Sequence, residues 1–142
     1  MRYESQKDRD REEVAIKLWS NGKAEYYKLG KDDVDFKVKS NSSSEIGYVE
    51  VKGRNRTLED AFPLPVAARK LVKLQDRRAQ DSTATRAFVI WACYDGIIAC
   101  DLDTLKGVVR MGGRPPRKGS TNDIEVMVYY SADSSPFKQT KF

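Results

Sequence analysis

The sequence predicts an α/β (α+β) domain in which helices flank a central mixed β-sheet. Residues 5–20 have the apolar spacing of an amphipathic helix, and residues 24–52 contain segments that alternate as strands do. Residues 87–102 add two strongly apolar strand segments. The predicted order is helix, three strands, helix, two strands, loop and strand, which favours two helices packed on one sheet.

The predicted first helix spans about Ser5 to Ser20 and ends at Asn21-Gly22. Its apolar face contains Val14, Ala15, Leu18 and Trp19. Glu12 lies one turn earlier, on or beside this face, where its carboxylate could point into a site. Glu13 lies on the flank of the helix and is the rival candidate, and Asp10 is also near.

Three strand segments follow, at residues 24–29, 34–39 and 46–52, and a serine-rich turn joins the last two as a hairpin. The two-residue period turns Asp35 away from the apolar side of its strand and puts Tyr48, Glu50 and Lys52 on one face. Asp35 and Glu50 therefore leave the same face of neighbouring strands. Side chains distant in the sequence can meet there.

Pro63 and Pro65 precede a predicted second helix, which carries Val66, Leu71 and Leu74 on its apolar stripe and is basic along its length. Residues 87–94 and 97–102 are predicted as central strands joined at Asp95-Gly96, and residues 124–130 as a last strand. We expect one compact domain over residues 1–130 and a polar tail over 131–142.

Between these strands, residues 107–120 predict a mobile basic loop, because glycines, a Pro115-Pro116 pair and four basic residues occur without an acidic one. The basic residues are Arg110, Arg114, Arg117 and Lys118. This loop is a candidate for contact with a polyanion, and a solvent-facing loop is the alternative.

The composition limits the classes of protein to which this chain can belong. The 142 residues include 26 Lys and Arg, 21 Asp and Glu and no His, so the net charge of +5 persists through neutral pH and favours a polyanionic partner. The charged opening lacks the apolar stretch of a secretory signal, and no segment has membrane-spanning length. We expect a cytoplasmic or otherwise intracellular protein with no membrane partner, in which Cys93 and Cys100 are reduced core thiols.

The residue types at Asp35, Glu50 and Lys52 suit phosphodiester hydrolysis. That reaction needs a divalent cation to neutralise phosphoryl charge and acidify a water molecule. Carboxylates are the ligands such a hard cation prefers, and a lysine beside the water can stabilise negative charge. The tripeptide E-x-K alone is also typical of a solvated strand face with cross-strand ion pairs.

The larger pattern resembles the PD-(D/E)XK nuclease superfamily. The segments Val34-Asp35-Phe36 and Tyr48-Val49-Glu50-Val51-Lys52-Gly53-Arg54, with a glutamate helix before them and a basic helix after them, follow the family's order. The resemblance covers about residues 10–80. The proline of the family's name is absent, since Val34 precedes the aspartate. The resemblance implies a restriction-endonuclease-like core, and hence a nuclease-like domain over residues 1–130.

The resemblance implies a role for each matching residue. Asp35, Glu50 and the Val51 carbonyl would bind Mg²⁺, which Mn²⁺ could replace, and Lys52 would position or activate water. Glu12 would be the outlying helix carboxylate. The basic residue of the second helix would be Lys70, with Lys73 and Gln75 as alternatives on the same element.

The expected activity is metal-dependent endonuclease cleavage of DNA, structure-selective in the manner of a Holliday junction resolvase, which would imply a homodimer. The alternative is a non-catalytic DNA-binding module or accessory subunit that keeps the fold. Phosphate contacts would come from basic residues around the acidic centre. The candidates are Arg54, Arg56, Lys73, Arg110, Arg114, Arg117 and Lys118.

Overall fold

The computed structural model describes residues 6–114 and 123–142, and these ranges contain two α-helices and nine strands. The helices are α1 (Gln6–Ser20) and α2 (Ala68–Gln80). The strands are β1 (Ala24–Lys28), β2 (Phe36–Ser40), β3 (Ile46–Gly53), β4 (Leu64–Ala67), β5 (Ala84–Ala92), β6 (Gly96–Asp101), β7 (Val108–Arg114), β8 (Asp123–Tyr130) and β9 (Lys138–Lys141).

Six strands form the central sheet in the order β1-β2-β3-β5-β6-β9. The pairs are antiparallel except for β3 and β5, which run parallel. A parallel pair needs a crossover connection, and here β4 and α2 lie between the two strands in sequence. The predicted mixed sheet flanked by helices is confirmed.

Both faces of the central sheet are covered. On one face, Ala15 and Ile16 of α1 are fully buried in a cluster with Phe36, Val49 and Ile90. On the other, α2 and the small sheet contribute to a cluster that contains Leu74, Tyr48, Val89, Trp91 and Tyr130. Successive β3 residues point to opposite faces, so Tyr48, Glu50 and Lys52 share the α2 face.

A strand precedes the second helix where the sequence predicted helix alone. Leu64 to Ala67 form β4, which pairs antiparallel with β8, and α2 begins only at Ala68. Val66 is therefore a strand residue and not part of the helical stripe. Proline at position 65 is tolerated because β4 is an edge strand of the three-stranded sheet β4-β8-β7.

The predicted basic loop is wrong for residues 108–114, which form β7. This strand pairs antiparallel with β8, with Arg110 opposite Met127 and Arg114 opposite Asp123. Arg110 and Arg114 thus belong to a paired strand. Arg117 and Lys118 lie outside the described residues.

The predicted polar tail contains a further strand. Lys138 to Lys141 form β9, which pairs with β6 at the edge of the central sheet. Gly96 permits this close approach, because a side-chain carbon at that position would overlap the carbonyl oxygen of Thr140. The chain after residue 130 thus returns to the central sheet.

Cys93 and Cys100 are buried free thiols, in agreement with the predicted core position. Burial raises the pKa of both thiols, which keeps them in the uncharged form. In the described part of the chain, no helix combines the length and the apolar character needed to cross a bilayer.

A buried tyrosine fastens the end of α2 to the central sheet. The Tyr48 hydroxyl donates to Asp81 Oδ2 at 2.6 Å, and the amide and hydroxyl of Thr83 donate to Asp81 Oδ1 at 2.9 and 2.6 Å. These hydrogen bonds, the Thr83 hydroxyl first and Tyr48 second, hold the pKa of Asp81 well below its usual range. Burial first, and the bond to Asp81 second, raise the pKa of Tyr48 to about 12. Asp81 thereby fixes α2 over the Glu50 face.

We predict that Asp81→Asn lowers the melting temperature at pH 7 and that the loss shrinks as the pH falls below about 4. A carboxylate whose pKa is depressed by folding stabilises the native state above its unfolded pKa, and this contribution disappears as the pH falls through the folded pKa. Circular dichroism melts between pH 3 and pH 7 measure the difference. Asp76→Asn, an exposed carboxylate on the same helix, is the control. A loss for Asp81→Asn that does not depend on pH would contradict the prediction.

Candidate active site

The start of β2 brings Asp35 against β3. The hairpin register pairs Phe36 with Val49, so Asp35 lies opposite Glu50, one step beyond the last backbone pair. The Val51 amide donates a hydrogen bond of 2.7 Å to Asp35 Oδ2. The Asp35 side chain thus takes the place of the next strand residue as the acceptor for β3. Its carboxylate is held beside Glu50.

Glu50 is a buried carboxylate in a strand that is covered on both faces. Its side chain is only 8% exposed, and within the described structure Oε2 is buried without a hydrogen-bond partner. Burial first, and the negative charge of Asp35 second, raise the pKa of Glu50 to about 7, while Lys70 and Lys73 act in the opposite direction. A buried carboxylate oxygen without a partner is costly, so this oxygen is a candidate for holding a ligand.

The atoms around Glu50 Oε2 fit a hard divalent cation. Asp35 adds a second carboxylate, and the Val51 carbonyl points to the same side of β3 as its amide, which is the side that Asp35 occupies. Among the side chains that the structure describes, no three Asp, Glu, Cys or His groups converge. Two carboxylates, a carbonyl and waters are a set that suits Mg²⁺ or Mn²⁺.

The first turns of α2 place positive charge over these carboxylates. Lys70 Nζ lies 3.6 Å from Glu50 Oε1, and its side chain is 36% exposed, so it reaches both the buried acid and the surface. The Lys73 charge also acts on Glu50. Gln75 instead accepts a hydrogen bond from Arg78. Of the three helix candidates, Lys70 is the one in contact with Glu50.

Lys52 lies two residues beyond Glu50 on β3 and therefore on the same face. In the parallel register it stands beside Trp91 of β5, and it is half-buried. Lys52 thus shares with Glu50 the face of β3 that α2 covers. Sequence alternation predicted this arrangement.

A residue that the sequence analysis did not single out links Glu12 to the centre. Lys28 Nζ, at the end of β1, lies 2.8 Å from Glu12 Oε2 and 3.6 Å from Asp35 Oδ1. Glu13, the rival, accepts a hydrogen bond from the Tyr26 hydroxyl at 3.0 Å. Glu12 is thus the helix carboxylate linked to Asp35. No sequence pattern marks Lys28, because its role depends on three separate elements.

The basic candidates for DNA contact differ in their surroundings. Arg54 is half-buried and donates from Nε to the Ala61 carbonyl at 2.9 Å and from Nη2 to the Pro63 carbonyl at 3.3 Å. It therefore fastens the loop after β3, which leaves fewer donors for phosphate. Arg56 and Arg110 are exposed, and the Arg110 guanidinium lies 5.9 Å from the centre of the Tyr129 ring.

We predict that Asp35→Asn lowers the pKa of Glu50 in the metal-free protein. Burial of Glu50 would remain, but the charge of Asp35 that also raises the pKa would be gone. Carbon-13 NMR titration of the glutamate carboxyl carbons measures the change. Asp133→Asn, an exposed carboxylate in a different turn, should leave the value where it was. An unchanged pKa in Asp35→Asn would show that the two carboxylates are not neighbours.

Comparisons with known proteins give the family and the fold of the chain. Curated protein sequences give no match to the chain. Among solved structures, Hjc from Archaeoglobus fulgidus, a Holliday junction resolvase from an archaeal hyperthermophile, is similar with a TM-score of 0.58 and 15% sequence identity. The alignment covers 97% of this chain and 93% of Hjc, and it shows the shared restriction-endonuclease-like fold. The model of the family described as "Phage putative PDDEXK endonuclease" matches residues 1–139. The chain belongs to this PDDEXK family, as the sequence resemblance predicted.

Proposed function

We propose that the protein is a divalent-metal-dependent DNA endonuclease that hydrolyses phosphodiester bonds. The observation that carries the proposal is Glu50 Oε2, a buried oxygen without a hydrogen-bond partner, beside the Asp35 carboxylate. A structural role would be met better by an uncharged side chain at this place. Membership in the PDDEXK endonuclease family supports the proposal.

Asp35, Glu50 and the Val51 carbonyl would hold the cation, with Mg²⁺ as the natural ion and Mn²⁺ as its substitute. A cation held there would neutralise phosphoryl charge and make a water molecule more acidic. The hydrogen bond from the Val51 amide fixes Asp35 before the ion arrives, so the protein loses little freedom on binding.

Two lysines would act on the phosphate and the water. Lys52 shares a face of β3 with Glu50 and would orient the attacking water and stabilise the charge that develops on the phosphoryl oxygens. Lys70 contacts Glu50 Oε1 and reaches the surface, so it would orient this carboxylate and touch the scissile phosphate. Glu12 acts at a distance, since Lys28 stands between it and Asp35.

Basic groups around the centre would hold the DNA backbone. Lys73 lines a surface cleft of about 790 Å³ together with Lys31, Arg69 and Arg77, and acidic side chains share the cleft. Arg56, Arg110 and Arg114 would extend the contacts, as would Arg117 and Lys118, which lie outside the described residues. Contacts of this kind position DNA without reading its sequence.

We infer that the preferred substrate is branched DNA and that the chain acts as a homodimer. The inference is supported by the fold that the chain shares with Hjc, a Holliday junction resolvase. Apolar side chains on the small sheet offer a surface for a second copy, because Val109, Met111 and Val126 are 65%, 67% and 43% exposed. Met111 and Val126 are direct partners in the β7–β8 register, so they share one face.

We predict that the purified protein cleaves DNA in the presence of Mg²⁺ and that Asp35→Ala and Lys52→Ala each lower the rate by about 100-fold or more. A panel of branched, flapped, single-stranded and linear DNA, resolved by gel electrophoresis, measures cleavage and preference together. Both variants should still bind DNA in a mobility-shift assay.

Lys39→Ala is the matched control for the lysine variant, because Lys39 is an exposed residue at the far end of β2. It should cleave like the wild type. Cleavage that survives both site substitutions would refute the mechanism. Binding without cleavage by the wild type on every substrate would favour the non-catalytic DNA-binding module.

We predict that replacing Arg110 and Arg114 by Gln weakens binding to every DNA sequence alike and lowers the slope of log K against log salt by about 0.9 for each phosphate that the protein no longer neutralises. Fluorescence anisotropy with two unrelated duplexes over a salt series measures the slope. Replacing Lys23 and Lys39, which are exposed on the far side of the β1–β2 hairpin, is the charge-matched control. An unchanged slope would exclude β7 from the DNA interface.

A further inference from the structure

The ammonium group of Lys28 lies between two carboxylates at the edge of the proposed metal centre. Nζ is 2.8 Å from Glu12 Oε2 and 3.6 Å from Asp35 Oδ1. It also lies 5.0 Å from the centre of the Phe36 ring, on the residue that pairs with Lys28 across β1 and β2. Three elements, α1, β1 and the segment before β2, therefore meet at this positive charge.

The two oxygens of Asp35 have different partners. Oδ2 accepts from the Val51 amide, on the side of Glu50, while Oδ1 faces Lys28. In nucleases that use two ions, the ions lie about 4 Å apart, so the two oxygens of one carboxylate could contact both. In this protein, the second oxygen of Asp35 faces Lys28.

The charges of Glu12 and Asp35 favour a cation at the position of Lys28. The Glu12 and Asp35 side chains are each 17% exposed, so water screens them incompletely and a cation between them is favoured. Lys28 supplies that cation from the chain itself. The Lys28 side chain is 42% exposed, so its ion pairs contribute little to folding stability. The charge of Lys28 matters more for whether another cation can bind between Glu12 and Asp35 than for folding stability.

We propose that Lys28 is a built-in substitute for a second metal ion: it fills the position between Glu12 and Asp35 and restricts the centre to one divalent cation. The inference rests on the proposed nuclease function for the first ion site and adds the limit on the second. Lys28 is then a positioning residue, because it acts through Asp35 and Glu12. Glu12 stays in the centre as the partner of Lys28 and not as a ligand.

The test is the binding of Mn²⁺ to the metal-free full chain. Isothermal titration calorimetry counts the bound ions, and electron paramagnetic resonance shows whether they lie close together. The wild type should bind about one ion per chain and give the spectrum of an isolated Mn²⁺. Lys28→Met keeps most of the length of the side chain and removes its charge. It should bind about two ions, and the close pair should give a broadened, spin-coupled spectrum.

Two further variants separate charge from structure. Lys28→Arg keeps the positive charge and should bind one ion. The double variant Lys28→Met with Glu12→Gln removes a carboxylate of the new position and should return to one ion. Circular dichroism melts report whether each variant folds, and Lys28→Gln replaces Lys28→Met if the latter is unfolded.

Two results would overturn the inference alone: a wild type that binds two ions, or a folded Lys28→Met variant that binds no second ion. Either result would leave the nuclease proposal intact, and the second would reduce Lys28 to a surface ion pair. A wild type that binds no ion and cleaves no DNA would contradict the nuclease proposal, and the present inference would fail with it because it assumes the first ion.

Discussion

The hydrogen bond from the Val51 amide to the Asp35 carboxylate is the interaction on which the site depends. The backbone ladder between β2 and β3 ends at the pair of Phe36 and Val49, so the next amide of β3 on that side needs another acceptor. Asp35 supplies it with Oδ2 at 2.7 Å. The bond gives the Val51 amide an acceptor in a strand in the middle of the sheet, and it holds the carboxylate beside Glu50. One contact therefore completes the backbone hydrogen bonding of β3 and positions a candidate metal ligand.

Local patterns predicted the elements whose partners are close in sequence. The helix α1 buries an apolar stripe, β2 alternates buried and more exposed residues, and β5 and β6 are apolar along most of their length because both faces of the sheet are covered. Within α1 the stripe was placed imperfectly, since Ile16 is fully buried and Val14 is 49% exposed. Helix ends and phases are decided by the sheet on which the helix packs.

The strands that the sequence did not predict lack the regular apolar alternation that marks a strand locally. β4 has four residues, includes Pro65 and pairs with β8, which lies far along the chain. β9 is polar because it lies at the edge of the central sheet. β7 contains glycines and arginines that are typical of loops, yet its backbone pairs fully with β8. Tertiary pairing, and not propensity, makes these segments strands.

The candidate site was predictable where its residues share one hairpin and one helix. Alternation placed Asp35, Glu50 and Lys52 on one face, and the family's order of elements suggested Lys70, which contacts Glu50. Alternation alone describes that face as solvated, whereas α2 covers it and buries Glu50. The position of Lys28 between two carboxylates, and the hold of Arg54 on the loop after β3, depend on elements that meet only in the folded chain.

The burial of Glu50 also bears on how such a protein can change over generations. An ionisable side chain inside a sheet lowers the stability of the fold, and natural proteins stand only slightly above the stability they need. A descendant that no longer needed the activity would become more stable with a neutral side chain at this one position, and its fold would not change. Drift therefore leads away from an acid at position 50, and an acid found there is a sign that selection still maintains it.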